Sequence, residues 1–222
     1  MLESQHQLHI IDPATSTPFP AIVVGGRLCV AVVAGRPFAA RVLGRAHARS
    51  EAVLAVDGRD TLTNKPADPT ASGIIFTASY VCKGFRVSES EVREFVVVPR
   101  GFGGTTAERN DSAECCGLIA AVVYGEGGRG YNPGFESFSG RGVTRGGGED
   151  NYRGGGSVGA AAGQAVQSRV GQTSWTRGSE LWRAVIEYDT REGWAARGIV
   201  IPGLSTANPW PGEQRFAATS SL

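Results

Sequence analysis

The chain is short of lysine, of histidine and of net charge. Its 22 basic residues include two lysines, Lys65 and Lys83, so the other 20 are arginines; 21 acidic residues bring the formal charge to +1 over 222 residues. A balance this close provides no field to gather nucleic acid or an anionic membrane, and neither is expected as a partner. The arginine preference fits the usage of a GC-rich genome better than any binding chemistry. The three histidines are His6, His9 and His47. His6 and His9, three apart at a strand start, cannot share one strand face as metal ligands.

Long apolar runs are missing too: no stretch reaches the roughly 20 residues of a membrane-crossing helix. Met1-Leu2-Glu3-Ser4-Gln5-His6 offers acid and polar residues where a secretory leader needs a basic region and an apolar run, so export is not expected. The four cysteines (Cys29, Cys82, Cys115, Cys116) sit inside apolar runs instead of at metal-ligand spacing, and read as buried reduced thiols. A Cys29–Cys82 or Cys82–Cys116 bridge is left open for an oxidising medium. No metal or cofactor is implied.

Residues 1–124 alternate short Val- and Ile-rich runs with turn clusters: Leu8–Ile11, Ala21–Val24, Leu28–Ala34, Phe38–Leu43, Ala52–Val56, Ile74–Thr77, Val92–Val98 and Leu118–Tyr124. Such runs, bounded by Gly, Pro, Asp or Asn, are strands, and their spacing predicts an antiparallel sandwich or barrel, of which the sandwich is the reading adopted. Glu51–Asp57 is apolar at both odd and even positions, so this strand should be covered on both faces, with Asp57-Gly58 turning the chain after it. Ser88-Glu89-Ser90-Glu91 carries the capping-box spacing and predicts a brief helical turn. Further on, Val170–Arg177 and Trp182–Asp189 read as strands, the second with Trp182, Ala184, Ile186 and Tyr188 on one face. Thr190–Gly198 reads as a short helix from a Thr or Asp cap to a Gly stop.

Between these parts, residues 125–159 hold 14 glycines in 35 positions and almost no aliphatic anchor. Burial there cannot offset the entropy of ordering the backbone, so a neighbouring subunit is the expected source of order. The domain plan that follows is an N-terminal arm (1–20), a β-sandwich core (21–124), a Gly-rich excursion (125–160), completing strands and a helix (161–200) and a C-terminal arm (201–222). Trp210 and Phe216 in the last arm, and Tyr131, Phe135 and Phe138 in the excursion, are the candidate partner-binding anchors.

Two motif matches lack their structural context. Gly125-Glu126-Gly127-Gly128-Arg129-Gly130 fits a dinucleotide fingerprint, but Pro133-Gly134 blocks the helix it must open. Gly155-Gly156-Ser157-Val158-Gly159 fits a nucleophile elbow, yet every histidine lies upstream and no strand leads in. Glu149-Asp150 and the Glu89/Glu91 pair read as solvated acids. Asn110-Asp111-Ser112 matters as a glycosylation triplet only after secretion. Arg129, Arg141, Arg145 and Arg153 could contact phosphate, but acids are interleaved with them. Cys115 and Cys116, adjacent in sequence, should face opposite ways. No catalytic constellation emerges, and the chain is not expected to be an enzyme.

The stretch Lys83–Phe95 has a Gly-aromatic-Arg, a Ser, Glu-Val and a Phe at fixed spacing. With Val56-Asp57-Gly58, Pro66-Ala67, Ser72-Gly73, Gly117-Leu118-Ile119, Val123-Tyr124, Ala162-Gly163-Gln164, Ser174–Arg177 and Tyr188–Arg191, it resembles a family of bacterial and tailed-phage proteins with no settled activity. The resemblance spans about residues 35–200. It implies a β-sandwich in which the arginine of the Gly-Phe-Arg turn has a structural role. The expectation is therefore a structural protein of a phage virion, a capsid decoration, minor capsid or neck/tail component. Its arms would bind other virion proteins, either further copies of itself or the major capsid protein. The alternative is a ligand- or carbohydrate-binding sandwich module using Trp175, Trp182, Trp194 or Trp210 as stacking platforms.

Overall fold

The computed structural model describes residues 7–101, 104–110, 113–127, 156–171 and 173–202. These form an all-β sandwich of two sheets. Thirteen strands are described: β1 Leu8–Ile11, β2 Ala21–Val24, β3 Arg27–Val32, β4 Pro37–Leu43, β5 Arg49–Val56, β6 Arg59–Asp60, β7 Ile74–Thr77, β8 Ser79–Cys82, β9 Gly84–Arg86, β10 Glu91–Pro99, β11 Leu118–Glu126, β12 Val158–Gln167 and β13 Arg177–Thr190. One helix, α1 Arg191–Ala196, follows. The larger sheet runs β2-β3-β13-β11-β5-β6, with β7 also on β5; the smaller runs β1-β4-β10-β12, with β8 on β4 and β9 on β10. Pairing is antiparallel except between β3 and β13, which run parallel from Leu28↔Ile186 to Val32↔Thr190.

Period-2 patterning fills the space between the sheets. Phe38 stacks on Phe95 at 5.2 Å, and Phe85 meets Phe95 edge-on at 4.9 Å. Leu8, Ile10, Val42, Leu54, Val97, Ile119, Ile186 and Tyr188 complete this main core. The predicted alternation in β13 holds: Ala184, Ile186 and Tyr188 point into it and Trp182 packs at its margin. The continuous apolar reading of Leu28–Val32 has a separate cause. Val30 and Val32 face the main core, whereas Cys29 and Ala31 face a second small core made with Trp194 and Ile201. The residues of β5 are likewise mostly buried on both faces, as expected.

Two fold features follow from turn chemistry. Asp57 and Gly58, both at positive φ, make the two-residue turn between β5 and β6, and Gly25-Gly26 do the same between β2 and β3. Thr190 caps α1: its side chain accepts from the Gly193 N–H, and Gly198 follows the helix at positive φ.

Several boundaries are corrected. Within the described part of the expected N-terminal arm, β1 pairs with β4 along Leu8↔Val42 to Ile11↔Ala39, and Leu8, Ile10 and Ile11 are fully buried; residues 7–20 belong to the sandwich. Gly125 and Glu126 end β11, and Val158–Ala160 begin β12, so the excursion is shorter than 125–160 at both ends. Ile201 docks in the second core, which moves the expected C-terminal arm past it. Val170–Arg177 is not a strand: residues 168–171 and 173–176 are irregular where the chain crosses from one sheet to the other, and β13 starts at Arg177. Ser88–Glu91 forms no helical turn. The Val87 and Ser88 N–H groups both bond the Glu91 carbonyl, a tight link between β9 and β10 that uses up the groups a helix would need.

Candidate functional site

β4 and β10 pair only briefly, through Pro37↔Val96 and Phe38↔Phe95, before they diverge. β8 lines one branch and β9 the other. Lys83 sits at the apex, where its carbonyl accepts from the Phe95 N–H at 3.0 Å. Gly84 is required at this fork, because a Cβ there would overlap the Arg93 carbonyl. The Arg86 guanidinium holds the far side, donating to the carbonyls of Ser88 and Ser168 and to the Ser168 hydroxyl. The arginine of the Gly-Phe-Arg turn thus ties β9 to the 168–176 crossing.

Beside the fork, between β7, β8 and that crossing, lies an open cleft of about 710 Å³. Its walls include Glu51, Tyr80, Ser168, Arg169, Thr173 and Trp175. A second hollow of about 400 Å³ adjoins it across Gly73, Ile74, Val170 and Gly171. The crossing is held in place where the Ser168 and Val170 N–H groups bond the Ser90 and Glu89 carbonyls.

Glu51 anchors the floor. Its carboxylate, almost fully buried, accepts from Arg177 Nε and Nη2, both at 2.6 Å, from Trp175 Nε1 at 2.9 Å and from the Gly73 N–H at 2.7 Å. Burial pushes the carboxyl up, but the bonds from Arg177, Gly73 and Trp175 outweigh it and hold the pKa below the usual range. Glu51 is therefore an ionised strut and not a proton donor. Arg49 lies 5.4 Å from the Trp175 ring centre, which further fixes the indole.

At the opposite end, Asp57 is the most deeply buried acid among the described residues. Oδ1 accepts from the N–H groups of Gly117 (2.9 Å) and Leu118 (3.3 Å) and from the Tyr188 hydroxyl (2.8 Å), and Oδ2 from the Ala160 N–H (2.6 Å). Burial pushes its pKa up to about 7, against the pull of these four donors. Gly159 leaves the room: a Cβ there would lie 2.8 Å from Oδ2. Nearby, Asp189 accepts from the Ser157 N–H and, at 2.6 Å, from its hydroxyl. Ser157 enters a strand and not a helix, and its hydroxyl is committed to Asp189, so the elbow match is a packing contact between β12 and β13.

The four cysteines are free thiols, as expected from their place in apolar runs. Cys29, Cys82 and Cys116 are buried, Cys115 half-buried; burial raises all four pKa values, that of Cys116 to about 11, and keeps them unreactive thiols near neutrality. Cys115 and Cys116 lie in a 3₁₀ helix and the turn after it, not on a strand. Among the described residues no three His, Cys, Asp or Glu side chains gather as for a metal. No described helix is long and apolar enough to cross a membrane.

The predicted anchors Tyr131, Phe135, Phe138, Trp210 and Phe216 lie outside the described residues. Of the proposed stacking platforms, Trp194 is corrected: it is fully buried, its Nε1 donates to the Val30 carbonyl at 2.8 Å and Arg197 covers its ring at 3.9 Å. Trp182 packs against the core, and Trp175 alone of the described tryptophans lines the cleft. Sequence reasoning missed the cleft and the Asp57 centre. Asp57-Gly58 was legible as a turn, but the turn's carboxylate reaching residues 60 to 131 positions away left no local signal. No family model, curated protein or solved structure matches the chain.

Proposed function

We propose that the chain is a structural subunit of a phage particle, a capsid decoration, minor capsid or neck/tail component, bound to neighbouring copies or to the major capsid protein. The observation that carries this reading is β2, Ala21-Ile22-Val23-Val24, an uncharged edge strand whose Val23 and Val24 remain 48% and 36% exposed. Such an edge is a template for another chain where neither charge nor a covering strand guards it. The buried acids support the same reading, since Asp57, Asp189 and Glu51 all hold strands and loops together. The Gly-Phe-Arg signature, with Arg86 in its structural role, supports the phage resemblance. Trp210, Phe216, Tyr131, Phe135 and Phe138 are the proposed docking anchors of the two segments rich in glycine and proline. The test is immunogold microscopy of particles from a producing culture. Label at one fixed place on the particle is the expected result; label confined to cell debris overturns the reading.

The cleft favours one second reading, a module that binds a small sugar-like ligand, because Trp175 and Tyr80 there stand beside Ser168 and Thr173 hydroxyls. Quenching of tryptophan fluorescence by glucose or N-acetylglucosamine tetrasaccharides, lost in Trp175→Ala, would support it. An unchanged spectrum at millimolar sugar would remove it.

A further inference from the structure

We infer that two copies of the chain join through β2, edge to edge and antiparallel, about a two-fold axis at Ile22. This rests on the assembly reading for its partner and adds the surface and the register. The partner follows from the backbone. β2 pairs with β3 through Val24↔Arg27, Val23↔Leu28, Ile22↔Cys29 and Ala21↔Val30. The Pro20 carbonyl also points to β3, accepting from the Ala31 N–H at 3.0 Å. Alternation then turns the N–H and C=O groups of Ile22 and Val24 toward β3, and those of Ala21 and Val23 away from it. Among the described residues no strand pairs this outer edge. A row of two donors and two acceptors fits one kind of occupant, an extended backbone.

The strand suits its own copy. Placing Ile22 opposite Ile22 of the second copy sets Ala21 opposite Val23 and Val23 opposite Ala21. Each facing pair exchanges two hydrogen bonds, four in all, and the two seven-stranded sheets become one continuous sheet. β2 carries no charged residue, so self-pairing meets no like-charge repulsion in the strand; the first basic residue after it, Arg27, is bonded to Glu187 at 2.9 Å. The exposed Val23 side chain is covered in the process.

Three other sheet edges fit less well. β6 is two charged residues long. β1 is closed by residues 18–19, through the Ile11↔Pro18 bridge and the Phe19 N–H on the Ile10 carbonyl. β12 is closed at Ala160 by the Thr106 N–H, and the remainder, apart from Val166, offers small residues and glutamines with little apolar area. A four-residue contact belongs to the weak class of interfaces, suited to a lattice in which many copies act together.

The test uses the full chain with the half-buried Cys115 replaced (Cys115→Ser). In the inferred register two cysteines at position 22 face each other at about 4.5 Å between Cα atoms, within disulfide reach. Two at position 24 lie roughly 13 Å apart and are out of reach. Under mild oxidation Ile22→Cys is expected to give roughly tenfold or more disulfide dimer than Val24→Cys. Sedimentation velocity of the wild type should show reversible dimer rising with concentration. Val23→Pro removes one outward N–H while sparing the bonds to β3, and should be monomeric with a near-native melting curve. Equal cross-linking at 22 and 24, a monomer at every concentration, or a dimer that survives Val23→Pro overturns the inference. The particle reading is separable: Val23→Pro chains that still enter particles sink this contact alone, whereas an Ile22-linked dimer absent from particles sinks the particle reading alone.

Discussion

The Tyr188 hydroxyl donates to Asp57 Oδ1 across 2.8 Å, with both side chains fully buried. That bond joins β13 to the β5–β6 turn. The other donors on the same carboxylate come from the start of β11 and from β12, so one side chain secures strands of both sheets.

Removing Asp57 should therefore cost far more than removing Tyr188's hydroxyl. Tyr188→Phe deletes one bond to a buried carboxyl and should lower the unfolding free energy by about 1–2 kcal/mol. Asp57→Ala strands three N–H groups and the phenol, and should cost about 3–5 kcal/mol or prevent folding. Urea titration measures both, and a Tyr188→Phe loss equal to that of Asp57→Ala would contradict the hub role.

The same residue sets a pH dependence. Its folded pKa stands near 7, against 3.8 for the exposed group. Between those values the folded protein keeps a proton that the unfolded chain has released, so stability falls as pH rises through this window, by up to about 1.4 kcal/mol per unit. The difference in unfolding free energy between pH 5 and pH 7 should be larger in the wild type than in Asp57→Asn. Identical pH slopes would remove Asp57 as the cause.

Arg177 and Glu51 form a partly buried pair, and removing the cation leaves a carboxylate without its strongest partner. Arg177→Ala should destabilise by about 3 kcal/mol, and adding Glu51→Gln should recover part of that loss, because the residual buried charge is then gone. A double-mutant cycle in urea reads the coupling; strict additivity would mean that the pair is not coupled.

At the fork, Gly84→Ala drives a methyl group into the Arg93 backbone, which has no rotamer with which to yield. The expected cost is about 3 kcal/mol. Phe95→Ala, which empties the centre of the aromatic cluster, should cost about 3–5 kcal/mol. Melting curves that place either variant near the wild type would contradict the packing described.

The sandwich was legible because most of its strands announce themselves locally. Leu8–Ile11, Ala21–Val24 and Ile74–Thr77 match the strands found, and the Thr190 cap and Gly198 stop bound the helix. β12 escaped notice: Val158–Gln167 is made of Gly, Ala and Gln apart from Val158 and Val166, a composition of low β-propensity, and it is a strand because β10 offers it a ladder. β8 and β9 were lost for a related reason, since their sharp reversal at Lys83 is set by the divergence of β4 and β10, not by their own residues. Trp194 looked like a surface platform because α1 is short and polar around it. Its pocket is built from Cys29, Ala31 and Ile201, remote in sequence or past the helix. The Glu51 and Asp57 centres depend on partners 22 to 131 residues away, which no local pattern encodes.

The central claim, membership of a phage particle, is tested most directly by quantitative mass spectrometry of density-banded particles washed in high salt. The account predicts a fixed number of copies per particle that survives the wash and drops in particles carrying Trp210→Ala. Particles that lack the chain, or shed it completely on washing, would contradict it.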